Sequence, residues 1–192
     1  MAAGIFEPFF NRLSEAIKRY HAHLNHEEVI SDLWNMTWNE VIDKHGIDEQ
    51  LFLGSIKVLD ELEMDLHISP YPDYHTLQRL PFPKFLVTTS LTSLQEKKIR
   101  ALGIERDFVK IIINDTFKKK QTKKQIFEDL IKDYALNPSC TYVIGDNAES
   151  EIKAGNELGM VTVQMLRQNV LSSPTANFHI HSFVELEQIM TP

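Results

Sequence analysis

Cysteine is almost absent from this chain. Cys140 is the single cysteine, so neither an internal disulfide nor a thiolate zinc site can be built, a usage that suits a reducing compartment. Long apolar runs are missing too: no uninterrupted stretch is long enough to cross a bilayer, and the opening MAAGIFEPFF has neither the basic start nor the apolar core of a secretory signal. A soluble, cytoplasmic protein is expected. Positive charge is in short supply, with 20 Lys and Arg against 27 Asp and Glu and a formal net charge of -7. That balance disfavours a protein that coats nucleic acid or an anionic membrane, and any bound anion must meet a local basic patch. What is present is ordinary: 43% hydrophobic and 24% charged residues over 192 positions exclude disordered and collagen-like chains and suit one domain, or one core carrying an insertion.

Residues 9 to 66 read as helical. Phe10, Leu13, Ile17, Tyr20 and Leu24 recur at three-to-four spacing, followed by Val29, Leu33, Trp34 and Val41. The aromatics Phe9, Phe10, Trp34, Trp38 and Phe52 fit helix packing better than a ligand box. Among His21, His23 and His26 only the last two share a helical face, a weak basis for a metal site. The stretch ISPYPDYHTLQRLPFPK, with four prolines, ends this half as a connector. Strand and helix then alternate. Strands are predicted at 85–88, 109–113, 142–144, 161–164 and 178–181, with helices at 94–102, 125–134, 151–158 and 184–190 between and after them. Such alternation argues an α/β fold with a parallel sheet, whose ligands lie beyond the carboxyl ends of the strands.

Three strand ends carry candidate chemistry. Thr88, Thr89 and Ser90 close the first and place hydroxyls and helix amides where an anionic oxygen could bind, although Ser and Thr are also common helix caps. Asn114 and Asp115 close the second, ahead of Lys118, Lys119, Lys120, Lys123 and Lys124; a solvated lysine loop is the plain alternative to phosphate neutralisation. The third ends in Tyr142-Val-Ile-Gly-Asp-Asn-Ala-Glu-Ser-Glu-Ile152. Grouped carboxylates without cysteine suit a hard cation such as Mg²⁺. Acidic enrichment at a helix start accounts for Glu149 and Glu151, and less well for Asp146.

This ordered set of hydroxyl, lysine and Gly-Asp-x-x-x-x-Glu resembles the haloacid dehalogenase-like (HAD) hydrolase superfamily, of the cap-bearing phosphatase type. FLVTTSLTSLQEKKIRALGI is similar to its second motif region, VIGDNAESEIKAGNELGM to its fourth, and FHIHSFVELEQI to its last strand and helix. The resemblance implies a three-layer Rossmann-like core at 81–192 and a helical cap with connector at 9–80. It also implies phosphate binding by Thr88 and Thr89, a catalytic lysine at Lys120 or Lys123, and Mg²⁺ held by Asp146 and Glu151. The family's first motif, an apolar strand followed by Asp-x-Asp that supplies nucleophile and general acid, has no counterpart in the N-terminal region. Forcing Ile5-Phe6-Glu7-Pro8-Phe9 onto it would make Glu7 the nucleophile and put Phe9 where a proton must be carried. GIFEPFFNRLSEAI resembles instead the stretch after that motif, so residues 1–8 are expected to be at most a remnant of the first strand. Without that strand the remaining ones should fall into two groups, and self-association could fill the gap.

The resemblance implies a phosphatase lineage acting on a small phosphomonoester with Mg²⁺, inactive or impaired as written for want of the nucleophile. The alternative is a non-catalytic HAD-fold module that binds a phosphorylated ligand or a protein partner. Dehalogenation, which the fold supports without metal, fits the acidic fourth motif less well.

Overall fold

β-branched and apolar runs form the strands, and helices follow all of them except β4, which leads directly into β5. The computed structural model describes residues 11, 14–15, 17–19, 21–36, 38–50, 68–115 and 121–190. The expected first-strand remnant at 1–8, with Glu7, and Lys118, Lys119 and Lys120 lie outside the described residues. The chain divides into two compact units.

The first unit comprises Met1–Ser69 and Pro83–Lys120. Helix α1 spans His26–Asn35 and starts where the Asn25 side chain accepts hydrogen bonds from the amides of Glu27 and Glu28, at 3.2 and 3.4 Å. Helix α2 spans Trp38–His45. Ile17, Val29, Val41 and Ile47 are buried, as the helical periodicity requires. Strand β1 (Phe85–Thr89) pairs in parallel with β2 (Lys110–Asn114), in a register that sets Thr88 beside Ile113 and Thr89 beside Asn114. Between them α4 (Thr92–Leu102) stops at Gly103, whose φ of +66° is left-handed backbone that a side chain would disfavour; helix α3 (Tyr74–Arg79) belongs to the other unit.

The second unit comprises Pro70–Phe82 and Gln121–Pro192. The proline-rich stretch is more than a connector. It contains α3 (Tyr74–Arg79), and Asp73 just before it accepts two hydrogen bonds from the Arg167 guanidinium at 2.9 and 2.7 Å, one from the Ser182 hydroxyl and one from the Phe183 amide. Arg167 also lies over the Tyr71 ring, 4.3 Å from its centre. Helix α5 (Lys123–Asp133) precedes β3 (Tyr142–Gly145); a π-helical turn at Ala148–Ile152 then runs into α6 (Lys153–Glu157). Strands β4 (Val161–Met165) and β5 (Phe178–Ile180) complete a parallel sheet in the order β3-β4-β5, and a short 3₁₀ turn leads into α7 (Leu186–Ile189). Val163, Met165, Ile180 and Leu186 form its core, with Leu77 and Leu80 packed against them.

The architecture is thus α/β with parallel strands and intervening helices. Among the described residues the strands make two ladders, β1-β2 and β3-β4-β5, the grouping expected from the motif order. No helix among the described residues is long and apolar enough to cross a membrane.

Candidate functional site

The loop after β3 is built around one carboxylate that turns back on its own chain. Glu151 Oε1 accepts hydrogen bonds from the amides of Asp146 and Asn147, at 3.1 and 2.9 Å. This fold-back requires glycine at 145, since a Cβ there would lie 2.2 Å from Glu151 Cγ. Asn147 caps the following turn by accepting from the Glu149 amide at 3.0 Å, and the turn is π-helical, a widening often found at functional sites. Fully buried Ile152 anchors its far end.

Two carboxyl groups are crowded by this geometry. Asp146 is exposed, yet partial loss of hydration, and after it the charge of Glu151, raises its pKa above the ordinary aspartate range. Lys123 opens α5 directly after Thr122, which forms a capping box with Gln125. Its half-buried ammonium has its pKa lowered by desolvation, against which the charge of Glu151 acts. Asp146, Glu151 and Lys123 therefore share one electrostatic neighbourhood. A proton or a divalent cation would relieve the acidic pair, and carboxylate oxygens suit a hard cation.

The other predicted residues fare differently. Thr88 is half-buried and Thr89 exposed at the end of β1. The capping alternative for Thr88, Thr89 and Ser90 fails, because the residue preceding α4 is Leu91 and it makes no side-chain cap. Asp115 serves instead, its carboxylate accepting from the Thr92 hydroxyl and, at 3.4 Å, from the Thr92 amide. Lys124 pairs with Glu157 at 3.1 Å, and Glu149 with Lys153 at 3.7 Å on the surface. Lys120, the alternative to Lys123, lies outside the described residues.

A family model described as haloacid dehalogenase-like hydrolase matches residues 2–159. The chain belongs to the HAD-like hydrolases. It is 24% identical over 167 residues to a glyceraldehyde 3-phosphate phosphatase of Methanopyrus kandleri, covering 84% of this chain and 67% of that protein. It is 29% identical over 132 residues to a protein of the same name from Methanocaldococcus jannaschii, covering 64% of this chain and 57% of the relative. The match thus spans about two thirds or less of the curated relatives' length. In fold it resembles a HAD phosphatase of Thermococcus onnurineus, with a TM-score of 0.67 at 18% identity over 97% of this chain and 90% of that one.

Sequence reasoning missed the roles of Asp115 and Asn147 in this HAD-like chain, and missed fully buried Gln164 altogether, whose amide reaches the Asp146 carbonyl at 3.1 Å. Asn147 was findable, being a good cap ahead of an acidic turn; the other two act across the chain and leave no local mark. A second acidic group was missed as well. Glu28, Asp32 and His45 place ligand atoms within 4.8 Å of one another and could hold a cation. Lys44 already bridges Asp32 and Glu28 at 2.7 and 3.2 Å, and with His45 it holds the Asp32 pKa below its ordinary value, so a metal would have to displace a lysine. His21 is buried and its pKa is lowered, chiefly by desolvation and then by His23.

Proposed function

We propose that this HAD-like hydrolase is of phosphatase lineage and binds a small phosphomonoester together with Mg²⁺, with hydrolysis impaired in the chain as written. The crowded Asp146–Glu151 pair beside Lys123 carries the proposal. Asp146 and Glu151 would hold the cation, which supplies charge stabilisation to a phosphoryl group. Lys123 would balance the remaining phosphate charge; Lys120 keeps the same role as an alternative on sequence grounds. Thr88 and Thr89 enter as phosphate-binding residues from the resemblance alone. The names of the two curated relatives support a small phosphorylated substrate and suggest glyceraldehyde 3-phosphate as a first probe. Impairment follows from the lack of any Asp-x-Asp pair in the sequence. The same lack favours a second reading, a binding module without turnover.

An assay of glyceraldehyde 3-phosphate and p-nitrophenyl phosphate with millimolar Mg²⁺ tests this. The expected result is little or no turnover, with binding of inorganic phosphate that strengthens when Mg²⁺ is added. Robust turnover abolished by Glu7→Gln would overturn the impairment and the binding-module reading together. Failure to bind phosphate with or without Mg²⁺ would overturn the proposed binding of a phosphomonoester.

A further inference from the structure

Gln164 is a fully buried polar side chain in the middle of an apolar strand. The β3–β4 register places it beside Gly145, one residue before Asp146, and the β4–β5 register places His179 on its other side. Every hydrogen of its amide is used. Nε2 donates to the Asp146 carbonyl at 3.1 Å and to the Leu171 carbonyl at 3.0 Å, while Oε1 accepts from the Ser173 amide at 2.8 Å. The orientation is fixed by these partners, because the flipped amide would set its oxygen against two carbonyls and its NH₂ against an N–H. The segment it grips is the β4–β5 connection, whose Ser173 carbonyl also lies 2.7 Å from His179 Nε2 and whose Leu171 side chain is 89% exposed. A buried amide costs free energy unless satisfied, and here all three of its hydrogen bonds tie the loop after β3 to the β4–β5 connection.

We infer that Gln164 is a positioning residue of the acidic site, fixing the Asp146 carbonyl and coupling the cation-binding loop to residues 171–173. The inference rests on the proposal that Asp146 and Glu151 bind Mg²⁺, and it adds a control of that site from a strand that supplies no ligand. Groups of this kind, one step behind the ligands, commonly change metal affinity by about 10- to 100-fold when removed.

Gln164→Met keeps the volume and removes all three hydrogen bonds. Thr162→Val is the control: Thr162 is equally buried on the same strand, but its hydroxyl serves Asn156 and Asn177 instead. Mg²⁺ titration by calorimetry and residue-level amide exchange are read on the wild type and both variants. In Gln164→Met, Mg²⁺ affinity should fall about tenfold, and exchange should quicken both at Asp146–Asn147 and at Ser173. Thr162→Val should leave Mg²⁺ affinity and both segments unchanged. Loosening of Ser173 alone, with Asp146–Asn147 and Mg²⁺ affinity unmoved, would overturn the inference. A wild type that binds no Mg²⁺ would sink the cation-site proposal, and the exchange comparison would still decide whether Gln164 fixes the Asp146 loop. Gln164→Asn, one methylene shorter and unable to span both carbonyls, replaces the Met variant if that one does not fold.

Discussion

At the end of β1 and at the end of β3 a carboxylate covers backbone N–H groups, but it arrives by different routes. Asp115 reaches Thr92 from the end of a neighbouring strand, 23 residues away in sequence, and meets a hydroxyl and an amide. Glu151 reaches Asp146 and Asn147 from only five and four residues away, and meets two amides and a second carboxyl group. The first arrangement closes a helix end. The second closes a loop while crowding two acids, which costs stability unless a cation or proton is shared. A carboxylate at a strand end is therefore structural or site-forming according to what stands beside it.

The largest effect that should separate the two ends is that of Gly145→Ala. The new Cβ must push Glu151 off both amides, and two hydrogen bonds to a charged acceptor at about 1.5 kcal/mol each put the loss near 3 kcal/mol. Urea unfolding measures it, and the variant should also lose its response to Mg²⁺. Retained stability would mean that Glu151 can leave its amides without cost. Thr92→Val at the other end should cost less, about 1 kcal/mol, for the lost hydroxyl contact to Asp115. Mg²⁺ binding should be unchanged in that variant; a change would contradict a purely structural role for Asp115.

The smallest effect is a slope with pH. Because Asp146 has a raised pKa in the folded state, folding takes up protons between the unfolded and folded values. Stability without metal should therefore fall as pH rises from the ordinary aspartate range through the folded value, and Asp146→Asn should flatten that part of the curve. An unchanged slope in the variant would show that the crowding has no thermodynamic consequence.

The same contrast explains what the sequence made legible. Gly145, Asp146 and Glu151 lie within seven residues, so tight turn, acid and returning acid could be read as one pattern. The breaks at Gly103 and Gly159 were equally local, both glycines having positive φ. The helix predicted at 151–158 begins instead as a π-helical turn at 148, because Asn147 caps it and Glu151 bends back. Asp115 and Gln164 could not be read, since their partners lie on other elements. In VTVQM all residues after Val161 are buried, so alternation gave no sign that a glutamine faced the interior. Asp73 was hidden among prolines for a like reason, its partners Arg167, Ser182 and Phe183 being far along the chain.

The central claim is that Asp146 and Glu151 form a divalent-cation site. The most direct test is thermal unfolding of the wild type and Asp146→Asn across a Mg²⁺ titration. At about a hundredfold excess over Kd the wild type should gain about 2.7 kcal/mol of stability. Asp146→Asn, relieved of the repulsion from Glu151, should be no less stable without metal and should gain nothing from it. Equal Mg²⁺ stabilisation of both proteins, or none of either, would contradict the account.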